Sequence, residues 1–117
     1  MSTLDVIEGA ARVVEDFNLE ETCPDGDTTE LITSLSTLYG RQITVIVVSD
    51  EAITLVIRKK AISTQISTDA TTAVSANTIT TAQVISDTDG CGQTLDVLAT
   101  NGSGAAATVS VWVAVRP

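Results

Sequence analysis

Between Ala107 and Arg116 valine recurs at every second position: Val109, Val111, Val113 and Val115 on one parity, with Ser110, Trp112, Ala114 and Arg116 on the other. Only an extended chain puts such a series on one side, because successive side chains of a strand point to opposite faces. One face of this segment therefore belongs against a core, and the segment predicts a half-buried strand. The same language runs through most of the chain. Ile43 to Val48 (ITVIVV) is apolar on both parities, as expected of a central strand or one covered by a partner. Ser49-Asp50-Glu51 then turns the chain into Ile53 to Ile57, read as the second arm of a hairpin.

Further strands are expected at Leu31 to Tyr39, Ile62 to Ser67, Thr78 to Ser86 and Gln93 to Thr100, with Asp69 to Asn77 as a loop able to carry a short edge strand. Asn101-Gly102-Ser103-Gly104 reads as a glycine-rich hairpin loop joining the last two. Strands at this spacing, with turn residues between them, predict an all-β fold: an antiparallel β-sandwich or small barrel, Ig-like or jelly-roll-like. At 117 residues the chain fits one domain. Its core has to be aliphatic, because Phe17, Tyr39 and Trp112 are the only aromatic residues, while Ser and Thr make up about a quarter of the chain.

Charge divides the chain unevenly. Residues 1–30 hold nine acids (Asp5, Glu8, Glu15, Asp16, Glu20, Glu21, Asp25, Asp27, Glu30) against Arg12, whereas the rest holds six acids against five bases, within a net −9. In Ser2 to Glu20, Val6, Ala10, Val13 and Phe17 follow helical spacing, so an amphipathic helix is expected. An extended arm, or a short strand at Leu4 to Ile7, is the alternative. Pro24-Asp25-Gly26 is turn chemistry, expected to hinge this part to the body. The expected division is an acidic arm at 1–30 and a β-sandwich body at 31–117. Deleting residues 1–27 is expected to leave a soluble β protein that no longer attaches to its assembly.

Histidine is absent, which removes Ser-His and Cys-His dyads, the usual neutral-pH base and the imidazole metal ligand. Cys23 and Cys91 alone cannot build an ordinary structural zinc site. They allow one internal disulfide, with two small semi-buried hydrophobes the favoured reading. Asp87-Thr88-Asp89-Gly90 opens like a calcium loop, but Leu98 stands where the bidentate acid belongs, so a turn explains it better. Arg58-Lys59-Lys60 reads as a solvated strand end that discourages edge pairing, and the acidic balance opposes nucleic-acid binding. No enzyme activity, cofactor or metal is expected. MSTLDVIEGA has neither a basic n-region nor an apolar h-region, and no apolar run reaches membrane-helix length, so neither a cleaved secretory signal nor a membrane helix is expected.

The strand run ITVIVVSDEAITLVIRKK, the loop NGSGAAA and the segment TVSVWVAVRP give a Thr/Ser/Ala/Val-rich β body. In this character the chain resembles the auxiliary proteins of tailed-bacteriophage virions, most of all capsid decoration or cement proteins. That resemblance implies a structural protein, made in the host cytoplasm, that binds a major capsid protein on the outer shell as a symmetric oligomer and clamps capsomers, often through terminal arms. A tail, neck or fibre component, or an extracellular Ig-like binding module, is the alternative. A homo-oligomer is expected, a trimer favoured, because ITVIVV and Trp112 offer apolar surface on two sides. The interface candidates are Val6, Val13, Phe17, Glu15, Asp16, Glu20, Glu21, Ile46, Val48 and Trp112.

Overall fold

The computed structural model describes residues 14–36, 42–61, 66–85 and 94–116. They form eight strands: β1 (Val14–Cys23), β2 (Thr28–Ser36), β3 (Gln42–Ser49), β4 (Ile53–Ala61), β5 (Ile66–Val74), β6 (Thr80–Ile85), β7 (Thr94–Thr100) and β8 (Ala107–Arg116). Two four-stranded antiparallel sheets result, sheet 1 in the order β1-β8-β3-β6 and sheet 2 in the order β2-β7-β4-β5. Only β4 and β5 form a hairpin within one sheet. Around it β3 pairs with β6, β2 with β7, and β1 with β8, so the chain is a nested antiparallel ribbon rolled into a sandwich. This is jelly-roll winding, not the strand order of an immunoglobulin domain.

The valine series behaves as its period requires. Val109, Val111, Val113 and Val115 are buried and face Leu55, Ile57, Leu95 and Val97 of sheet 2 within one core. Ile43, Val45 and Val47 of β3 join them, and β3 lies between β8 and β6 as a central strand. The described core contains no aromatic side chain. Branched aliphatics fill the space between pleated sheets without the polar handle that a buried Tyr or Trp must satisfy.

Several sequence expectations are corrected. Residues 14–20 belong to β1, not to the end of a helix. Along the edge of sheet 1, eight of the ten β1 residues find register partners on β8, and a helix here would leave that pairing unmade. Helical spacing of Val13 and Phe17 could not show this, since tertiary pairing overrides local pattern. Residues 1–13, including Val6 and Val13, lie outside the described residues. Residues 14–30 are thus part of the sandwich, and deleting residues 1–27 would remove an edge strand along with the wholly buried Cys23.

The two expected hairpins at Ser49–Glu51 and Asn101–Gly104 are arches that carry the chain from one sheet to the other. In the first, Ser49 Oγ donates to Glu51 O (2.7 Å) and Asp50 Oδ1 accepts the Thr108 N–H (2.8 Å), which ties the corner to β8. Pro24-Asp25-Gly26 is likewise no free hinge. The Gly26 N–H donates to Asn101 O (2.6 Å), Asn101 N–H to Asp27 O (3.0 Å), and Asp25 Oδ1 accepts the Gly104 N–H (2.8 Å). Gly26 takes φ +81°, which its missing Cβ permits. The expected loop at Asp69–Asn77 is largely β5, held by nine register partners on β4. Asp87–Gly90 and Cys91 lie outside the described residues.

Candidate protein-docking face

The outward side of sheet 1 follows from the parity of its strands. With Ile43, Val45 and Val47 turned inward, Thr44, Ile46 and Val48 must point out, and on β8 so must Ser110, Trp112 and Ala114. In the register, Phe17 lies opposite Trp112, Trp112 opposite Ile46, and Ile46 opposite Thr81, giving one row across all four strands. Such cross-strand partners sit about 5 Å apart at Cβ and touch. Phe17 is 61% exposed, Leu19 63%, Ile79 72%, Ile46 36% and Val48 38%, and Trp112 is half-buried among them. Beside Trp112, the small Ser110 leaves a shallow groove of about 180 Å³ between Leu19, Ile46, Val48 and Ile79. Both described aromatic side chains thus lie outside the core, paired on one face.

The backbone of β1 helps to build this surface. Between Asn18 and Glu21 its register with β8 shifts, and Glu20 takes φ +60°. The extra residue leaves Leu19 on the outer face, while the Glu20 N–H donates to Ser110 Oγ (2.9 Å) across the bulge. Of the acidic candidates, Glu15 lies exposed opposite Ala114 at the margin of the patch and Glu20 borders its other end. Asp16 and Glu21 do not join it. They fall opposite Val113 and Val109, on the inward parity of the edge strand, and are half-buried. Asp16 Oδ1 accepts the Phe17 N–H (2.8 Å), and Glu21 Oε1 accepts from Asn18 Nδ2 (3.2 Å). Leu19 and Ile79 were missing from the sequence candidates. The signal for Leu19 was present, since it alternates with Phe17 once the segment is read as a strand.

The outer face of sheet 2 has the opposite chemistry. Arg58 makes a two-point contact with Asp69 on the neighbouring β5 (2.8 and 3.0 Å). That contact raises the Arg58 pKa and holds the Asp69 carboxyl below its ordinary value. Lys60 Nζ meets Asp96 Oδ2 at 2.8 Å, and Asp96 Oδ1 accepts the Ser34 N–H at 2.8 Å, satisfying a carboxylate only 3% exposed. The Arg58-Lys59-Lys60 run therefore sits inside β4, with Arg58 and Lys60 in ion pairs, and does not end a strand in water. One face of the sandwich is laced with ion pairs, and the other is apolar.

Cys23, at the end of β1, is wholly buried with a free thiol. Burial raises its pKa, partly offset by the Thr29 hydroxyl, and the nearby Glu21 charge raises it further. No cluster of His, Cys, Asp or Glu that could hold a metal occurs among the described residues.

No protein-family model and no curated protein matches the chain in sequence. Solved structures do resemble it. PBSX exported protein XepA superposes with a TM-score of 0.66 at 14% identity over 88% of this chain, which spans only 37% of XepA. A Bacillus endospore appendage protein, described as forming a novel family of disulfide-linked pili, gives 0.55 at 10% identity over 91% of this chain and 88% of that one. PRD1 vertex protein P5 gives 0.49 at 10% identity over 89% and 95%. XepA and P5 are phage-related. At these identities the likeness is one of fold, and at 0.49 it decides nothing.

Proposed function

We propose that this chain is a non-enzymatic structural component of a bacteriophage virion that binds the outside of a capsid shell through its major capsid protein and stabilises contacts between capsomers. The observation that carries the reading is the outward Phe17–Trp112 pair within an apolar sheet face, in a chain whose described core holds no aromatic side chain. Aromatic side chains placed in solvent cost free energy unless a partner covers them, and they are enriched at protein interfaces. The fold it shares with the phage-related XepA supports a phage structural role, and the absence of histidine supports a role without acid–base chemistry. The chain is expected in the virion after synthesis in the host cytoplasm. Quantitative mass spectrometry of purified particles tests this. Hundreds of copies per particle place it on the shell, about a dozen or fewer on the tail, neck or fibre, and none refutes a virion role.

A second reading, a subunit of an extracellular appendage, is favoured by the near-complete mutual coverage with the Bacillus appendage protein. Here the disulfide linkage named for that protein could not use Cys23 without opening the core. Filaments in place of particles, seen by electron microscopy of the purified chain, would favour it.

A further inference from the structure

We infer that the outer face of sheet 1 is covered by a second copy of this chain in a two-fold pair, with Phe17 of each copy seated in the Ser110 groove of the other. The inference rests on reading this face as a docking surface and names its occupant. Three observations lead to it.

The face carries both halves of a fit. Phe17 stands out from β1 at 61% exposure and does not line the groove, while Leu19, Ile46, Val48, Ile79 and Trp112 surround the floor at Ser110. The groove, about 180 Å³, is of a size to take an aromatic side chain. A knob and a hole side by side on one flat face exchange reciprocally under a two-fold axis lying in the plane of contact, so that each copy contributes the same residues. The same arrangement does not generate a three-fold ring by face-to-face contact, and the geometry therefore points to a dimer where the sequence favoured a trimer.

The area is also right. The five exposed apolar side chains offer on the order of 500 Å² of apolar surface, taking about 150–250 Å² for a whole aromatic side chain. That is as large as the largest patch of a typical monomer. With the polar margin of Thr44, Thr81 and Thr108 it approaches the roughly 800 Å² each partner gives to a standard interface.

Charge is the third consideration. Two copies at −9 repel, yet the middle of this face is free of ionisable groups, and Glu15, Glu20, Asp50 and Arg116 stand at its margins. The opposite face, by contrast, exposes the Arg58–Asp69 pair and buries Asp96 against Lys60. Only the sheet 1 face lets two such acidic bodies approach without stripping water from charges.

Sedimentation equilibrium over a concentration series to about 100 µM tests the pair. The full chain should dimerise, and the association should strengthen as salt rises from about 50 to 500 mM, because screening relieves the repulsion of like-charged copies. Phe17→Glu and, separately, Ser110→Phe should each weaken dimerisation at least tenfold, and the double variant should lose little more, since either change, present in both copies, already removes both Phe17–groove contacts. Thr54→Glu on the outer face of sheet 2 should leave it unchanged. Far-UV circular dichroism confirms that each variant keeps its β structure. A monomer at every concentration overturns the inference, as does an oligomer that survives both sheet 1 variants or one that weakens with salt. Incorporation into particles is read separately. A wild-type chain that is monomeric yet decorates particles sinks only the pair, whereas a dimer absent from every particle sinks only the virion role.

Discussion

Replacing Asn101 should be among the costliest single polar changes in the described residues, because its wholly buried side chain holds three segments together. Its Nδ2 donates to Cys23 O (2.9 Å) at the end of β1 and to Ala105 O (2.8 Å) before β8, and its Oδ1 accepts from the Ser103 N–H (3.0 Å) and Ser103 Oγ (2.7 Å). In Asn101→Ala the Ala105 carbonyl keeps the Ser103 hydroxyl (2.9 Å), but the Cys23 carbonyl is stranded. One stranded buried carbonyl plus the lost net bonds comes to about 2–4 kcal/mol, against a total stability of about 5–15. Asn101→Asp keeps the shape and the acceptor for Ser103, yet turns an oxygen toward two carbonyl oxygens and buries a charge, so at neutral pH it should be worse than Ala.

Urea titration followed by the fluorescence of Trp112, the single tryptophan, measures this. With a slope of about 1–3 kcal/mol per molar, a loss near 3 kcal/mol lowers the midpoint by roughly 1–3 M. The Asp variant should recover partly in acid. Its buried carboxyl would have a raised folded pKa, so the neutral form, able to donate to Cys23 O, is favoured as pH falls. If both variants stay within about 0.5 kcal/mol of wild type, the clamp reading of this arch fails.

Val111→Asp or Val113→Asp should abolish folding by circular dichroism, whereas Ser110→Asp, next to Val111 on the outward parity, should lower stability by about 1 kcal/mol or less. Lys60→Ala should cost about 2–4 kcal/mol in the same urea assay, because it leaves Asp96 nearly buried with only the Ser34 N–H on one oxygen. The Asp69 carboxyl, lowered chiefly by its bond to Arg58, gives stability that is present above its ordinary value of 3.8 and lost as pH falls through its lower folded value, and Asp69→Asn should flatten that acid limb of the urea midpoint. In a Cys91→Ser background, Cys23 should react with a thiol reagent only at the rate of unfolding, since the thiol is wholly buried and its pKa is raised.

What could be read from the residues was parity; what could not was pairing. The valines of β8 and the inward Ile43, Val45 and Val47 announce their faces through a period of two, and burial follows them residue by residue. A turn such as Ser49-Asp50-Glu51, however, looks the same whether the chain stays in its sheet or crosses to the other. What settles the matter is a bond to a distant strand or turn, Asp50 to Thr108 or Asn77 N–H to Ser49 O (2.7 Å), and no local pattern encodes it. β1 was misread for a related reason. Its bulge at Glu20 breaks the alternation, and the inward positions of an edge strand tolerate Asp16, Asn18 and Glu21 because solvent reaches them from the side.

The docking face was half legible for the same physical cause. Ile46, Val48 and Trp112 sit on regular strands, so their parity alone marked them as apolar side chains facing away from the core. Phe17 follows helical spacing in the sequence yet reaches the same face by a strand, opposite Trp112, which means that the aromatic pair is a product of register and not of spacing. The acidic residues around it take on a different meaning in consequence. Glu15 and Glu20 lie at the margin of an apolar surface, where carboxylates keep isolated copies apart at low salt and oppose random association, but do not supply the attraction. An attachment driven by acids would weaken as salt is added, and one driven by Phe17, Leu19 and Ile46 with acids at the margin would strengthen. The sign of the salt dependence therefore separates the two forces, whichever partner covers the face.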